Sequence, residues 1–222
     1  EVAHEGIHYF THADKGILKL IRDLALKTGL VAREYIGGKR KKYFPPLNFF
    51  LLASALNLFI INFDRMIKVQ SIEKIFPNIV TETNPKMIQM YTHSYERYVQ
   101  GTAFLGAHGN LSAILMLPIV AFVFWLFYRK RGYNFTEHLV ANMYASGFTT
   151  LTFVAMAAIN LLVKMDIYTI FYVWFLFQFG YLAVFYYRMI PNSSVVRAIF
   201  WSATALLATF LFIELGMMIY MM

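Results

Sequence analysis

The pattern of apolar and polar positions divides the chain near residues 39–46. Before that point apolar residues recur at helical spacing among charges; after it come long stretches almost free of charge. Over residues 14–28, DKGILKLIRDLALKT, Ile17, Leu20, Ile21, Leu24 and Thr28 share one stripe, and Lys15, Lys19, Arg22 and Lys27 lie off it. Asp14 is placed to cap this helix and Gly29 to stop it. A second short helix over residues 30–36 is expected to end at Gly37–Gly38. Neither helix is long or apolar enough to span a bilayer. Amphipathic basic helices of this kind are expected on the lipid surface or under a bundle.

Lys39, Arg40, Lys41 and Lys42 then set four cations side by side, followed by Tyr43, Phe44, Pro45, Pro46 and an uncharged run. Cations, an aromatic collar and an apolar segment, in that order, describe a chain passing into a bilayer. Five spans are predicted: residues 47–63, 111–128, 137–163, 167–187 and 198–221. Pro118 is expected to kink the second. Residues 64–110 form the longest extramembrane loop. Inside it Asn84–Pro85 opens an amphipathic helix carrying Met87, Met90, Tyr91, Tyr95 and Tyr98, expected along the outer interface. Gly101, Gly106 and Gly109 are expected to loosen the approach to the second span. The fold class is therefore all-α, an integral membrane helical bundle of about five transmembrane helices. Residues 1–46 form a cytoplasmic or interfacial region with amphipathic helices, and residues 47–222 form the bundle with its outer-face loop 64–110.

Charge sets the direction of threading. Of the 20 Lys and Arg, 14 fall in residues 1–46, 129–137 and 188–197, and six in 64–110 and 164–166. That bias predicts the N-terminus inside and the C-terminus outside. A net charge of +8 also suits nucleic acid, but such binding needs a soluble basic face, and most of this chain is lipid-compatible. Nucleic acid is not expected as a partner; lipids, and other membrane-protein subunits, are. Cysteine is absent, so there is no disulfide framework, thiolate metal site or thiol nucleophile. The first residue is Glu1 rather than Met, which is read as a processed or trimmed start. An odd number of spans without a repeat disfavours inverted transporter halves.

Three groups of residues carry candidate chemistry. Glu214 is an acid well inside a span, so it should face the bundle and find a partner. Asn57 and Asn160 lie at similar depth, with Lys164 just above. The group is either a pocket for an ion, proton or small headgroup, or an interhelical hydrogen-bond cluster. His4, His8 and His12 recur every four residues beside Glu5 and Asp14, and Glu137–His138 is expected at the same depth. Imidazoles with a carboxylate suit a divalent metal such as zinc or iron; the alternative is interfacial histidines bonded to headgroups or backbone. His93 and His108 fall on the opposite side. Arg33, Lys39, Arg40, Lys41, Lys42 and Tyr43 suit an anionic lipid surface. Gly37-Gly38-Lys39-Arg40 lacks the spacing of a phosphate-binding loop. Thr149, Thr150 and Thr152 read as helix-packing residues, and no catalytic set assembles.

The stretch REYIGGKRKKYFPPLNFFLL (residues 33–52), preceded by Asp14-Lys15-Gly16, and LPIVAFVFWLFYRKRGYNFTEHLV (residues 117–140) resemble a family of bacterial, Bacteroidetes-type polytopic membrane proteins, domain of unknown function 3667. Arg33, Glu34, Tyr35, Gly38, Lys39, Arg40, Tyr43 and Pro46 fit its first motif. Tyr133, Glu137 and His138 fit its second. The resemblance implies a bacterial inner-membrane location and supplies no reaction. It also implies an N-terminal paired-Cys zinc ribbon, which this Cys-free chain lacks, and further histidines where Tyr144 and Ser146 stand. The expected role is a non-enzymatic accessory or scaffold subunit that binds membrane proteins or lipids. The alternatives are a metal-dependent membrane enzyme with an inner-face His/acid site, or a small transporter using Glu214.

Overall fold

A computed structural model describes the backbone of residues 16–63, 71–163, 165 and 167–221, and every extended element among them is helical. The first helix, α1 (residues 16–27), buries the expected stripe. Leu20 and Leu24 are fully covered, and Asp23, also buried, faces Lys27 at 3.1 Å. The chain then turns at Thr28, whose φ of +49° is unusual for a β-branched residue. The turn is held by Thr28 N–H donating to the Leu24 carbonyl (3.1 Å) and Val31 N–H donating to the Thr28 carbonyl (3.1 Å).

Gly29 does not stop α1, as its sequence position suggests, but opens α2 (Gly29–Ile36). Its small size serves a contact instead. A Cβ at Gly29 would lie 1.8 Å from the Phe185 carbonyl oxygen, because the two backbones touch there. Val31 and Ala32 of α2 are also fully buried. Gly37 closes α2, donating its N–H to the Arg33 carbonyl, and Gly38 takes φ +101°, open to glycine without strain. A 3₁₀ turn, Arg40–Lys42, leads to α3 (Pro46–Phe63), where proline occupies the first helical position.

The remaining elements are α4 (Ile72–Ile75), α5 (Pro85–Tyr128), α6 (Phe135–Val163), α7 (Ile167–Met189) and α8 (Val195–Met221). Helix α6 is central, touching α2, α3, α5 and α7, while α8 packs on α5 and α7. Its buried face carries Ala141, Ala145, Gly147 and Ala157, small residues that let neighbouring helices come close. At Gly147 the ring of Phe49 fills the space a Cβ would need, 2.8 Å away. One large core joins α1 and α2 to the bundle; a smaller cluster of Ile60, Phe153, Ala157 and Ile170 closes the other end.

The outside of the bundle is apolar. Leu51, Leu52, Leu56 and Phe59 on α3, and Phe171, Val173, Phe175, Leu176 and Phe177 on α7, are exposed. Surface of that extent is costly in water and natural in hydrocarbon. Among the described residues three segments, Arg40–Ile60, Phe135–Val163 and Thr169–Met189, are long and apolar enough to cross a membrane. The apolar described part of α8, Val195–Thr209, is shorter. The fold is thus all-α and consistent with a helical membrane bundle.

The region between the first two predicted spans departs from expectation. Gly101, Gly106 and Gly109, expected to loosen the approach, lie inside α5, a single helix of 44 residues that takes in both the interfacial stretch and the second predicted span. At about 1.5 Å per residue it is roughly 66 Å long, about twice the ~30 Å hydrocarbon core. Its start is well fixed, with Asn84 accepting from Lys86 N–H (3.0 Å) and Glu82 accepting from Asn84 N–H (2.9 Å). A glycine costs only about 1 kcal/mol relative to alanine inside a helix, so three of them weaken α5 without ending it. Among the described side chains of α5, Leu117, Ala121, Phe124 and Tyr128 in its last turns are the apolar ones buried in the core. Near the start, Tyr91 stacks on Phe76, beside α4, at 5.2 Å.

The backbone contact at Gly29 gives a direct test. Gly29→Ala should destabilise the purified protein by about 1–3 kcal/mol, the range for overpacking. Gly180→Ala, where nothing lies within 4 Å of the new Cβ, should be neutral or slightly stabilising. Unfolding of both in mixed detergent micelles reads the difference, and equal effects would contradict the close approach of α2 to α7.

Candidate functional site

Five helix ends meet at one end of the bundle: the starts of α3, α6 and α8 and the ends of α5 and α7. Tyr144, two turns into α6, donates its hydroxyl to the Phe44 carbonyl at 2.8 Å, joining α6 to the approach to α3. Phe127 of α5 stacks on Trp201 of α8 at 4.5 Å. Phe124 and Tyr128 of α5 stack on Tyr186 of α7 at 4.1 and 5.2 Å. Helices α1 and α2 close over this end. Tyr181 donates to the Leu24 carbonyl (3.2 Å) and Arg188 to the Leu26 carbonyl (2.8 Å).

The outermost feature is an ionic clamp on Glu34. Its carboxylate accepts from Lys42 Nζ and from the Tyr43 hydroxyl (2.8 Å), with Lys39 Nζ at 3.4 Å. The hydrogen bonds from Lys42 and Tyr43, with the charge of Lys39 behind them, hold the Glu34 carboxyl down to about 2. Tyr35, the next residue, packs edge-on against Tyr144 at 5.5 Å. Of the predicted lipid-facing set, Lys39, Lys42 and Tyr43 are therefore engaged inside the chain. Arg33, Arg40 and Lys41 are exposed and have no acidic partner among the described residues.

A buried polar set lies near the start of α6. Asn142 Nδ2 donates to the Tyr186 hydroxyl (2.8 Å) and to the His138 carbonyl (2.9 Å). The Tyr186 hydroxyl also makes a long contact, 3.4 Å, with His138 Nδ1. Accepting from Asn142 leaves the Tyr186 hydroxyl both its own O–H and a lone pair, so either tautomer of His138 fits this contact. The ring of His138 stacks with Tyr186 (5.8 Å) and Tyr128 (6.2 Å) and meets Tyr133 edge-on (6.3 Å). Tyr128 Oη, His138 Nε2 and Asn142 Oδ1 are buried and have no hydrogen-bond partner among the described residues.

Glu137 is occupied elsewhere. Its carboxylate accepts from Asn134 N–H (2.7 Å) while Asn134 Oδ1 accepts from Glu137 N–H (2.9 Å), a reciprocal cap on the start of α6. Among the described residues no three His, Cys, Asp or Glu side chains gather to hold a metal. His4, His8, His12 and Asp14 lie outside the described residues. At the other end of the bundle, Asn160 Oδ1 accepts from Met165 N–H (2.6 Å), fastening the turn after α6. Asn57 Oδ1 is buried without a partner among the described residues. Glu214 sits on α8, but its side chain lies outside those described, as does Lys164, so their relation to the two asparagines is not part of this geometry. His93 faces Glu96 at 3.9 Å on the exposed part of α5.

Sequence reasoning missed Asn142, Tyr186 and Tyr128. Asn142 follows His138 by one helical turn, a spacing that was there to be noticed. The two tyrosines join it only through packing of α5 and α7.

A family model described as a protein of unknown function, DUF3667, matches residues 14–58. The matched stretch holds the described part of α1, α2, the Glu34 clamp and most of α3, and over it the chain is similar to that family. No curated protein and no solved structure matches the chain.

The clamp predicts an acid-range dependence. A carboxyl depressed in the folded state stabilises fully above its ordinary value near 4.5, and that stabilisation is lost as pH falls toward about 2. The side chain is 31% exposed, so solvent screening keeps the effect modest. The melting temperature of the parent should drop between pH 4.5 and 2 more steeply than that of Glu34→Gln; parallel curves would rule the clamp out. Asn142→Ala removes the donor to Tyr186 inside the core and should cost about 1–3 kcal/mol in the same unfolding assay.

Proposed function

We propose that this chain is an integral inner-membrane protein of a bacterium, a non-enzymatic accessory or scaffold subunit that holds anionic lipids and neighbouring membrane proteins at its basic end. In this reading five helices span. Three are the long apolar segments, and the C-terminal part of α5 and α8 supply the others. Residues 1–46 form the cytoplasmic, interfacial unit and residues 47–222 the bundle. The outer-face region 64–110 includes the projecting start of α5. The N-terminus is inside and the C-terminus outside, as the cation bias favours.

The observation that carries the reading is an imbalance of charge at one end. Glu34 is spent on its clamp and Glu137 on the cap of α6, whereas Arg33, Arg40 and Lys41 stay exposed without acidic partners among the described residues. Each cation near an anionic leaflet adds about 1 kcal/mol of attraction. The apolar outer surface supports lateral contact with lipid or with other spanning helices.

Two measurements test it. The chain has no cysteine, so Lys41→Cys and Lys86→Cys each create a single thiol. In intact cells, an impermeant reagent should label the Lys86→Cys protein and spare Lys41→Cys; the reverse result would invert the topology. Protein purified gently from membranes should carry phosphatidylglycerol in excess of its bulk share. The triple change Arg33→Gln, Arg40→Gln and Lys41→Gln should lower that excess several-fold, and retention in proportion to bulk composition would defeat the proposal.

A further inference from the structure

A second feature of the basic end has the form of a seat for one lipid. The end of α5 and the start of α8 border a groove of about 420 Å³, within the range of about 300–1,000 Å³ typical of small-molecule clefts. Its lining includes Arg129, Lys130 and Arg131 on the 3₁₀ turn after α5, and Arg197 near the start of α8. None of the four cations pairs with an acid among the described residues. The aromatic lining is Tyr128, Phe127 and Trp201, the last two stacked at 4.5 Å. Tyr128 is 1% exposed, and its hydroxyl has no hydrogen-bond partner among the described residues.

We infer that this groove binds the phosphodiester of an anionic phospholipid. The inference rests on the lipid-binding reading above and gives it a defined site, separate from the exposed cations of residues 33–41. Arginine matches a phosphate through paired N–H donors, and three of the four cations are arginines. The unpaired Tyr128 hydroxyl offers a neutral donor beneath them. The start of α8 carries the positive end of a helix dipole, which favours the same charge. The ligand is a lipid rather than free phosphate because the groove opens along an apolar wall. Leu126 within it, Phe122 one turn earlier on α5, and Ile199 and Phe200 on α8 are all exposed. A headgroup held by the cations leaves its acyl chains along those side chains, within the hydrocarbon.

The test uses the whole chain in phosphatidylcholine nanodiscs doped with phosphatidylglycerol, with bound lipid counted by native mass spectrometry. The parent should retain one phosphatidylglycerol that survives activation. The pair Arg131→Gln with Arg197→Gln should weaken its retention on the order of tenfold or more. The charge-preserving pair Arg131→Lys with Arg197→Lys should recover part of it, with melting temperatures near the parent's in both. Arg40→Gln with Lys41→Gln should leave this one lipid in place while reducing the diffuse enrichment of anionic lipid. Equal losses from the Arg131/Arg197 and Arg40/Lys41 glutamine pairs would overturn the site and leave the general reading standing. A parent that retains no phosphatidylglycerol would overturn both. Full displacement by inorganic phosphate at matched concentration would replace the lipid with a soluble phosphate and so overturn the lipid assignment.

Discussion

The carboxylate of Glu34 joins two parts of the molecule that follow different rules. On one side α1 and α2 are amphipathic and lie against the bundle; on the other α3 begins as an uncharged helix suited to lipid. The chain between them carries four consecutive cations, which repel one another and tend to splay the connection. Glu34 gathers two of these, Lys39 and Lys42, together with the Tyr43 hydroxyl, and so closes the turn. Gly29 fixes the other end of α2 on the backbone of α7, and Tyr144 fixes Phe44 beside α6. The path into the first apolar helix is therefore set by three contacts of different kinds: a backbone approach, a hydrogen bond and an ion cluster.

This use of the acids shapes the surface that remains. Near the basic end Asp23 is buried beside Lys27, Glu34 is clamped, and Glu137 caps α6. Each is engaged within its own neighbourhood, so none neutralises Arg33, Arg40, Lys41 or the Arg129–Arg131 turn among the described residues. A surface left positive by such internal pairing suits a phosphate-bearing leaflet, where desolvation is slight and attraction adds with each charge.

The buried set of His138, Asn142, Tyr186 and Tyr128 works differently. Hydrogen bonds in a low-dielectric interior are strong when complete and costly when partial, and in this set Tyr128 Oη, His138 Nε2 and Asn142 Oδ1 have no partner among the described residues. Its aromatic stacking holds α5, α6 and α7 in one register at the end where α1 and α2 dock. Leu or Phe at these positions would pack without that directional requirement.

What the sequence determined by itself was the part governed by transfer from water. The apolar runs located α3, α6, α7 and α8 to within a few residues, and the stripe Leu20–Leu24–Thr28 identified the buried side of α1, because hydrocarbon or core burial acts on each segment separately. Glycine was where local reasoning failed. Gly29 reads as a stop and is a contact; Gly101, Gly106 and Gly109, expected to loosen the approach to the second span, lie within one helix. A glycine's sequence neighbourhood cannot say whether its missing Cβ serves a turn, a close approach or nothing. The polar site was likewise decided by tertiary structure. His138 was visible as a candidate ligand, but its neighbours Tyr128 and Tyr186 come from helices 10 and 48 residues away in the chain. Which side chains share a buried space depends on how helices pack against one another, and that relation has no signature within any one of them.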